Sequence, residues 1–396
     1  MKLLKSKLGD VTELRAGIGF PERLQGRISG DYPFAKVGDI SRVGRSGHSL
    51  LSAADHYISE NDLVELRAKP IPVGSVVFAK IGEAIRHNHR AVTTRQLLVD
   101  NNAMAAIPSD QITTRYLYHF LRTVDFYRLA SSTTVPALRK SVLSEIEIPL
   151  PPLAEQKRIA GILDAADALR AKRREALAQL QLYRVSLFSS IFGKPLADDR
   201  WAIAKVGNVG DVQLGRQRAP KYQTGKHTKP YVRVANVYED EIDTSDVLSM
   251  DFDDRDFATY RLQNEDILLN EGQSTELVGR PAMWNGEIPD CCFQNTLVRF
   301  RADRTKVTPA FALEVFLYYL RFGEFAKVST KTSNVAHLGA ARFARMPLPV
   351  PPIELQMTFS RSVNALKAQQ ARMRAHLAEL DLLFASLQSR AFRGEL

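Results

Sequence analysis

The chain has 396 residues, a net charge of +10 and 45% hydrophobic residues, enough for two or three domains with cores of their own. Its longest apolar patch, Val315–Leu320, is far too short to span a bilayer, and the apolar part of Met1-Lys-Leu-Leu-Lys-Ser-Lys7 is too short for a signal peptide. A cytoplasmic protein is expected: the adjacent cysteines Cys291 and Cys292 stand apart from any Cys or His at ligand spacing, read as buried thiols, and leave no metal site to expect.

Taken from the start, residues 1–148 read as mixed strands and helices, with strands over Pro33–Ile40 and Val73–Lys80 and a helix over Tyr116–Leu129. This segment holds 20 Lys/Arg against 15 Asp/Glu, a balance that fits a polyanionic partner or a plain solvated surface. Its candidate nucleic-acid contacts are Lys36, Arg42, Arg45, Lys80, Arg86, Asn88, Arg90, Thr133, Arg139 and Lys140, most of them on predicted loops. Arginine grips guanine and Asn or Gln grips adenine through paired hydrogen bonds, whereas lysine mostly meets phosphate. The run His87-Asn-His89 shares only its letters with a nuclease motif whose members are dispersed over a ββα unit.

A proline-rich run, Ile148-Pro-Leu-Pro-Pro-Leu153, cannot be helical, and a proline-free stretch to Phe192 follows it. Apolar residues three and four apart (Ile159, Ile162, Ala166, Leu169, then Arg173, Ala176, Leu180, Tyr183 and Leu187) predict a long coiled-coil helix, leading through residues 193–200 into the next segment.

Residues 201–348, with 19 Lys/Arg and 19 Asp/Glu, echo the first segment. Lys205–Val209 matches Lys7–Val11, Gly215 matches Gly17, Pro230–Val237 matches Pro33–Ile40, and Asp266–Asn270 stands where Ser75–Ala79 stood. The framework repeats while the loops diverge. Candidate contacts here are Arg216, Arg218, Lys221, Lys229, Arg233, Asn270, Gln273, Ser274, Thr275, Arg280, Lys331 and Asn334. The acidic run Glu239–Asp256, with nine carboxylates in 18 residues, must face away from DNA or repel it.

The second proline run, Leu348-Pro-Val-Pro-Pro-Ile353, opens residues 349–396, and 16 of the 44 positions in 349–392 are identical to 149–192. Phe359, Val363, Leu366, Met373, Leu377, Leu380, Phe384 and Leu387 form its seam, broken only by Gln370. Compact domains often bring their ends together, so the two helices are expected to run antiparallel about an approximate two-fold axis. With Leu153 facing Phe392, Arg173 would lie opposite Arg372, beside Met373. The expected fold class is α+β: two related mixed α/β domains, 1–148 and 201–348, joined by an antiparallel two-helix coil from 149–200 and 349–396.

Catalytic signatures do not occur. There is no glycine-rich phosphate cradle, and Pro151-Pro152 follows Leu150 rather than the Asn or Asp of an amino-methyltransferase box. Two modules, each followed by Ile148-Pro-Leu-Pro-Pro-Leu-Ala-Glu-Gln156 or Leu348-Pro-Val-Pro-Pro-Ile-Glu-Leu-Gln356 and a long helix, resemble the specificity subunit of type I restriction-modification enzymes. The ending Gln388-Ser-Arg-Ala-Phe-Arg-Gly-Glu-Leu396 is typical of that family too. The resemblance implies two target-recognition domains that read an asymmetric bipartite site on double-stranded DNA, and coil regions that dock methyltransferase subunits. It further implies no catalysis and no cofactor on this chain: S-adenosylmethionine sits on the methyltransferase, and ATP and magnesium on a restriction subunit. Leu355, standing where the first copy has Glu155, departs from the pattern. A coiled-coil adaptor without DNA specificity, or a DNA methyltransferase in its own right, are the alternative readings.

Overall fold

The computed structural model describes residues 4–131, 134–219, 223–332 and 335–396. Contacts divide the chain into two compact units, 1–178 with 372–396, and 179–371. Each contains a mixed α/β module and part of both long helices.

In the first unit the central antiparallel sheet runs β1 (Thr12–Ala16), β4 (Ala103–Pro108), β2 (Val76–Ala79), β3 (Arg90–Thr93), with Leu50–Leu51 parallel at the edge. All four residues of β2 are buried, as a central strand covered on both faces requires. A lesser sheet sets Phe34–Ala35 parallel to Leu98–Val99. In the second unit the order repeats as β5 (Gly210–Leu214), β8 (Leu297–Ala302), β6 (Ile267–Asn270), β7 (Pro281–Met283), with Tyr231–Val232 parallel to Cys292–Phe293. Gly17 and Gly215 occupy equivalent crossings, where an added Cβ would lie 1.9 Å from the Asp100 carbonyl oxygen or 2.1 Å from that of Gln294. Both positions therefore require glycine. Burial pushes the Cys291 and Cys292 thiols up to about 12.

Several predicted elements end earlier than their apolar runs. The strand over Pro33–Ile40 stops at Ala35, because the Asp39 carboxylate accepts the Lys36 N–H at 2.8 Å and starts helix α1 (Val37–Arg45). Asn236 does the same for the Arg233 N–H at 2.9 Å, ending the second strand at Val232. The helix over Tyr116–Leu129 is two pieces: α2 (Thr114–Leu121), then a fresh turn, Phe126–Leu129, capped by the Asp125 side chain.

The proline runs are edge strands. Glu147–Pro149 pairs antiparallel with Lys5–Lys7, and Pro347–Val350 with Ala202–Lys205, positions where a missing N–H is tolerated. Helices α3 (Leu153–Phe192) and α5 (Ile353–Arg393) follow directly, and α4 (Pro309–Arg321) is the counterpart of α2. The repeated glutamines explain themselves here. Gln156, fully buried, accepts the Thr113 N–H at 2.8 Å and donates to the Gln111 and Pro151 carbonyls. Gln356, equally buried, accepts the Thr308 N–H at 2.9 Å and donates to the Lys306 and Pro351 carbonyls. Each amide ties the start of a long helix to the start of the helix beneath it.

Within the first unit α3 and α5 pack antiparallel, with Arg170 Nε 2.6 Å and Arg174 Nη2 3.0 Å from the same Asp381 carboxylate oxygen. This corrects the expected register by about two helical turns: Asp381, not Arg372, faces that stretch of α3. Every predicted seam residue of α5 is at least partly buried, but on α3 Leu169 and Tyr183 are exposed, and Arg170, Arg174 and Arg184 turn inward instead. Among the described residues no helix is long and apolar enough to cross a membrane.

Candidate nucleic-acid interface

The same corner of the fold gathers candidate residues in both units. In the first, the chain leaving β2 meets the segment before the short helix Lys140–Ser144: Gly82 N–H bonds the Pro136 carbonyl at 2.9 Å and Leu138 N–H bonds the Lys80 carbonyl at 2.9 Å. Lys80, Arg139 and Lys140 thereby come to one edge, although about 60 residues separate them, and none forms an ion pair among the described residues. In the second unit the chain leaving β6 meets the segment before the helix Ala340–Arg345, with Leu338 N–H on the Glu271 carbonyl at 2.7 Å. There a three-stranded ribbon pairs Ala336 with Gln273 on one side and Lys331 on the other. His337 Nδ1 lies 3.0 Å from Glu271, and Arg342 donates to the His337 and Leu338 carbonyls, locking the ribbon. Neither residue carried a signal in the sequence, because their role depends on the ribbon's pairing.

The two corners differ in chemistry. Arg139 and Lys140 stand at the helix start where the second unit has Gly339, in the left-handed region at φ +69°, and Ala340. The first corner is cationic, whereas the second offers the amide and hydroxyls of Gln273, Ser274 and Thr275 beside one lysine.

Other candidates are already engaged within the protein. Arg42 bonds Asp55 and Asp39, and Arg86 bonds Glu83 and the Tyr127 hydroxyl while stacking on that ring at 4.0 Å. Arg90 is 3% exposed, lies 3.7 Å over the Phe126 ring and donates to Asn88 and the His89 carbonyl. Burial lowers its guanidinium to about 9, so it stays charged at neutral pH. Asn88 in turn donates to the Val124 carbonyl. In the second unit Arg216 pairs with Asp256, Lys229 approaches Asp290 at 3.5 Å, and Arg233 bonds Asp246 at 2.6 Å. Lys36 donates to Gln25, and Arg280 lies over the Tyr238 ring. Asn270 is fully buried, its amide on the Val237 carbonyl, which takes it away from solvent. Arg45 and Arg218 are exposed and unpaired among the described residues. Thr133, Lys221 and Asn334 lie outside the described residues.

The acidic run is partly balanced within the protein. Glu239 pairs with Arg321, Asp240 with Arg184, Asp246 with Arg233 and Asp256 with Arg216. Asp251, despite its burial, is held at about 2 by hydrogen bonds from Thr224, Thr228 and Gly225. Pairing of this kind offsets part of the repulsion that the sequence alone implies.

Residues 3–180 match the type I restriction modification DNA specificity domain family. The chain is 23% identical over 270 residues to the type I restriction enzyme MjaIX specificity subunit of Methanocaldococcus jannaschii, covering 61% of this chain and 60% of the relative. It is 24% identical over 317 residues to the StySPI specificity subunit of Salmonella potsdam, covering 73% and 67%. The crystal structure of a type I restriction-modification S subunit from M. genitalium shares the fold, with a TM-score of 0.59, 14% identity and coverage of 99% of this chain and 96% of that one.

Proposed function

We propose, for a chain that belongs through residues 3–180 to the type I restriction-modification DNA specificity family, that it is the sequence-reading subunit of such a complex. Each module reads one half of an asymmetric two-part target on double-stranded DNA, and the paired helices present docking surfaces to methyltransferase subunits. Adenine methylation with S-adenosylmethionine, and ATP-driven cleavage with magnesium, belong to those partners and to a restriction subunit, while this chain performs no chemistry. The observation that carries the reading is the shared corner: one scaffold, used twice, brings together the exit of a central strand and the entry of a short helix with different side chains each time. A repeated framework with divergent contact groups is what two independent half-sites need.

The unpaired cations of the first corner give a direct test. Replacing Arg139 and Lys140 with alanine is expected to weaken duplex binding and flatten its dependence on log salt by up to about two units, since each lysine or arginine on a phosphate releases roughly one counterion. Fluorescence anisotropy across a salt series measures the slope, and an unchanged slope would place both side chains on a solvated face.

A further inference from the structure

In the unit of residues 1–178 and 372–396, a cavity of about 450 Å³ opens between α1, the turn Glu83–His87 and α3. Its size is that of a small-molecule site. Five guanidinium groups line it, those of Arg45, Arg90, Arg122, Arg170 and Arg174, against Asp167 as the one lining carboxylate. Arg122 and Arg170 both bond Asp167, and Asp381 bonds Arg170 and Arg174 from α5. Five arginines thus outnumber the two carboxylates that bond them, with Asp125 the further carboxylate that acts on Arg90.

The arrangement is built rather than loose. Arg90 is fixed over Phe126, and Arg122 and Arg170 lie over the Phe384 ring at 4.9 and 4.4 Å. The backbone of α1 rests directly on the His89 ring: a Cβ on Gly44 would come within 2.5 Å of it. Gly47, at φ +75°, brings the following loop to Arg174. The buried Nε of Arg90 and Nδ1 of His89 have no hydrogen-bond partner among the described residues. Like charges held together in a partly desolvated hollow repel strongly, and a multivalent anion relieves that repulsion. Guanidinium groups match phosphate oxygens in both charge and forked geometry.

We propose that this cavity is a binding site for a phosphate-class anion carrying two or more charges, such as pyrophosphate or the polyphosphate of a nucleotide. The cavity lining includes none of Lys80, Arg139 and Lys140, and the site does not depend on the assignment of that corner to DNA.

Titration calorimetry of the full chain with pyrophosphate, in low-salt buffer free of other multivalent anions, tests it. One bound pyrophosphate per chain is expected, weakened at least tenfold by Arg45→Gln and by Arg174→Gln. Arg45 is exposed and makes no ion pair among the described residues, so its variant keeps the fold, and an unshifted melting curve without ligand checks this. A competition arm separates two sources of the anion. Displacement of a short labelled duplex by pyrophosphate assigns the pocket to a backbone phosphate of DNA, and an undisturbed duplex assigns it to a free anion. Absence of pyrophosphate binding, or binding untouched by Arg45→Gln, overturns the site, whether or not the chain binds DNA.

Discussion

Replacing Arg184 with methionine is expected to destabilise the 179–371 unit by about 3–5 kcal/mol, the usual consequence of leaving a buried charge without its partner. Arg184 projects from α3 with its side chain only 2% exposed, its Nη1 2.5 Å from Asp240 and its Nε 3.0 Å from Glu314 of α4. Removing the guanidinium strands both carboxylates. Trp201 and Trp284, the two tryptophans of the chain, both lie in this unit, so urea unfolding followed by tryptophan fluorescence reports on it selectively. A loss below about 1 kcal/mol would mean that Arg184 is no tie between helix and module.

The same cluster sets a pH dependence. Burial pushes the Glu314 carboxyl up to about 7, against the pull of Arg184. A carboxyl whose pKa is raised on folding binds its proton more tightly in the native state, so stability is highest below the unfolded value near 4.5 and declines as pH rises through 7. Tryptophan-detected stability should therefore be lower at pH 8 than at pH 5.5, and Glu314→Gln should flatten that difference.

The second large effect is expected from Gln356→Leu. The change leaves the buried Thr308 N–H and the Lys306 and Pro351 carbonyls without partners, at a cost of about 2–4 kcal/mol. Gln156→Leu does equivalent damage in the first unit, whose counterpart groups are the Thr113 N–H and the Gln111 and Pro151 carbonyls. The fluorescence transition should move with Gln356→Leu and much less with Gln156→Leu, while circular dichroism should register both. If leucine is tolerated at 356, the repeated glutamine has some purpose other than tying the helices.

What the sequence could and could not reveal follows from whether a feature is set locally. The seam of α5 is legible because its apolar residues declare themselves, from Phe359 through Leu387. On α3 the inward positions include Arg170, Arg174 and Arg184, whose burial depends on Asp381, Asp240 and Glu314 far away in sequence. Periodicity alone assigned the seam to Leu169 and Tyr183 instead, and the pairing register went astray with it. The duplicated framework is visible because glycine, proline and glutamine sit where backbone geometry demands them. The candidate interface is legible only in part, since an arginine that meets DNA and one that ties the fold look alike in sequence. Arg90, Arg216 and Arg233 prove to be internal ties, whereas Lys80, Arg139 and Lys140 are drawn to one edge by strand pairing that no local pattern announces.

The proposed function requires independent reading of two half-sites. Mapping of methylated adenines in a host that carries this chain with the methyltransferase subunits proposed as its partners, before and after residues 1–148 are exchanged for another module of the family, measures it directly. A two-part target with a fixed spacer, in which the exchange alters one part and leaves the other intact, is the predicted result. Alteration of both parts together, or methylation without sequence preference, would contradict it.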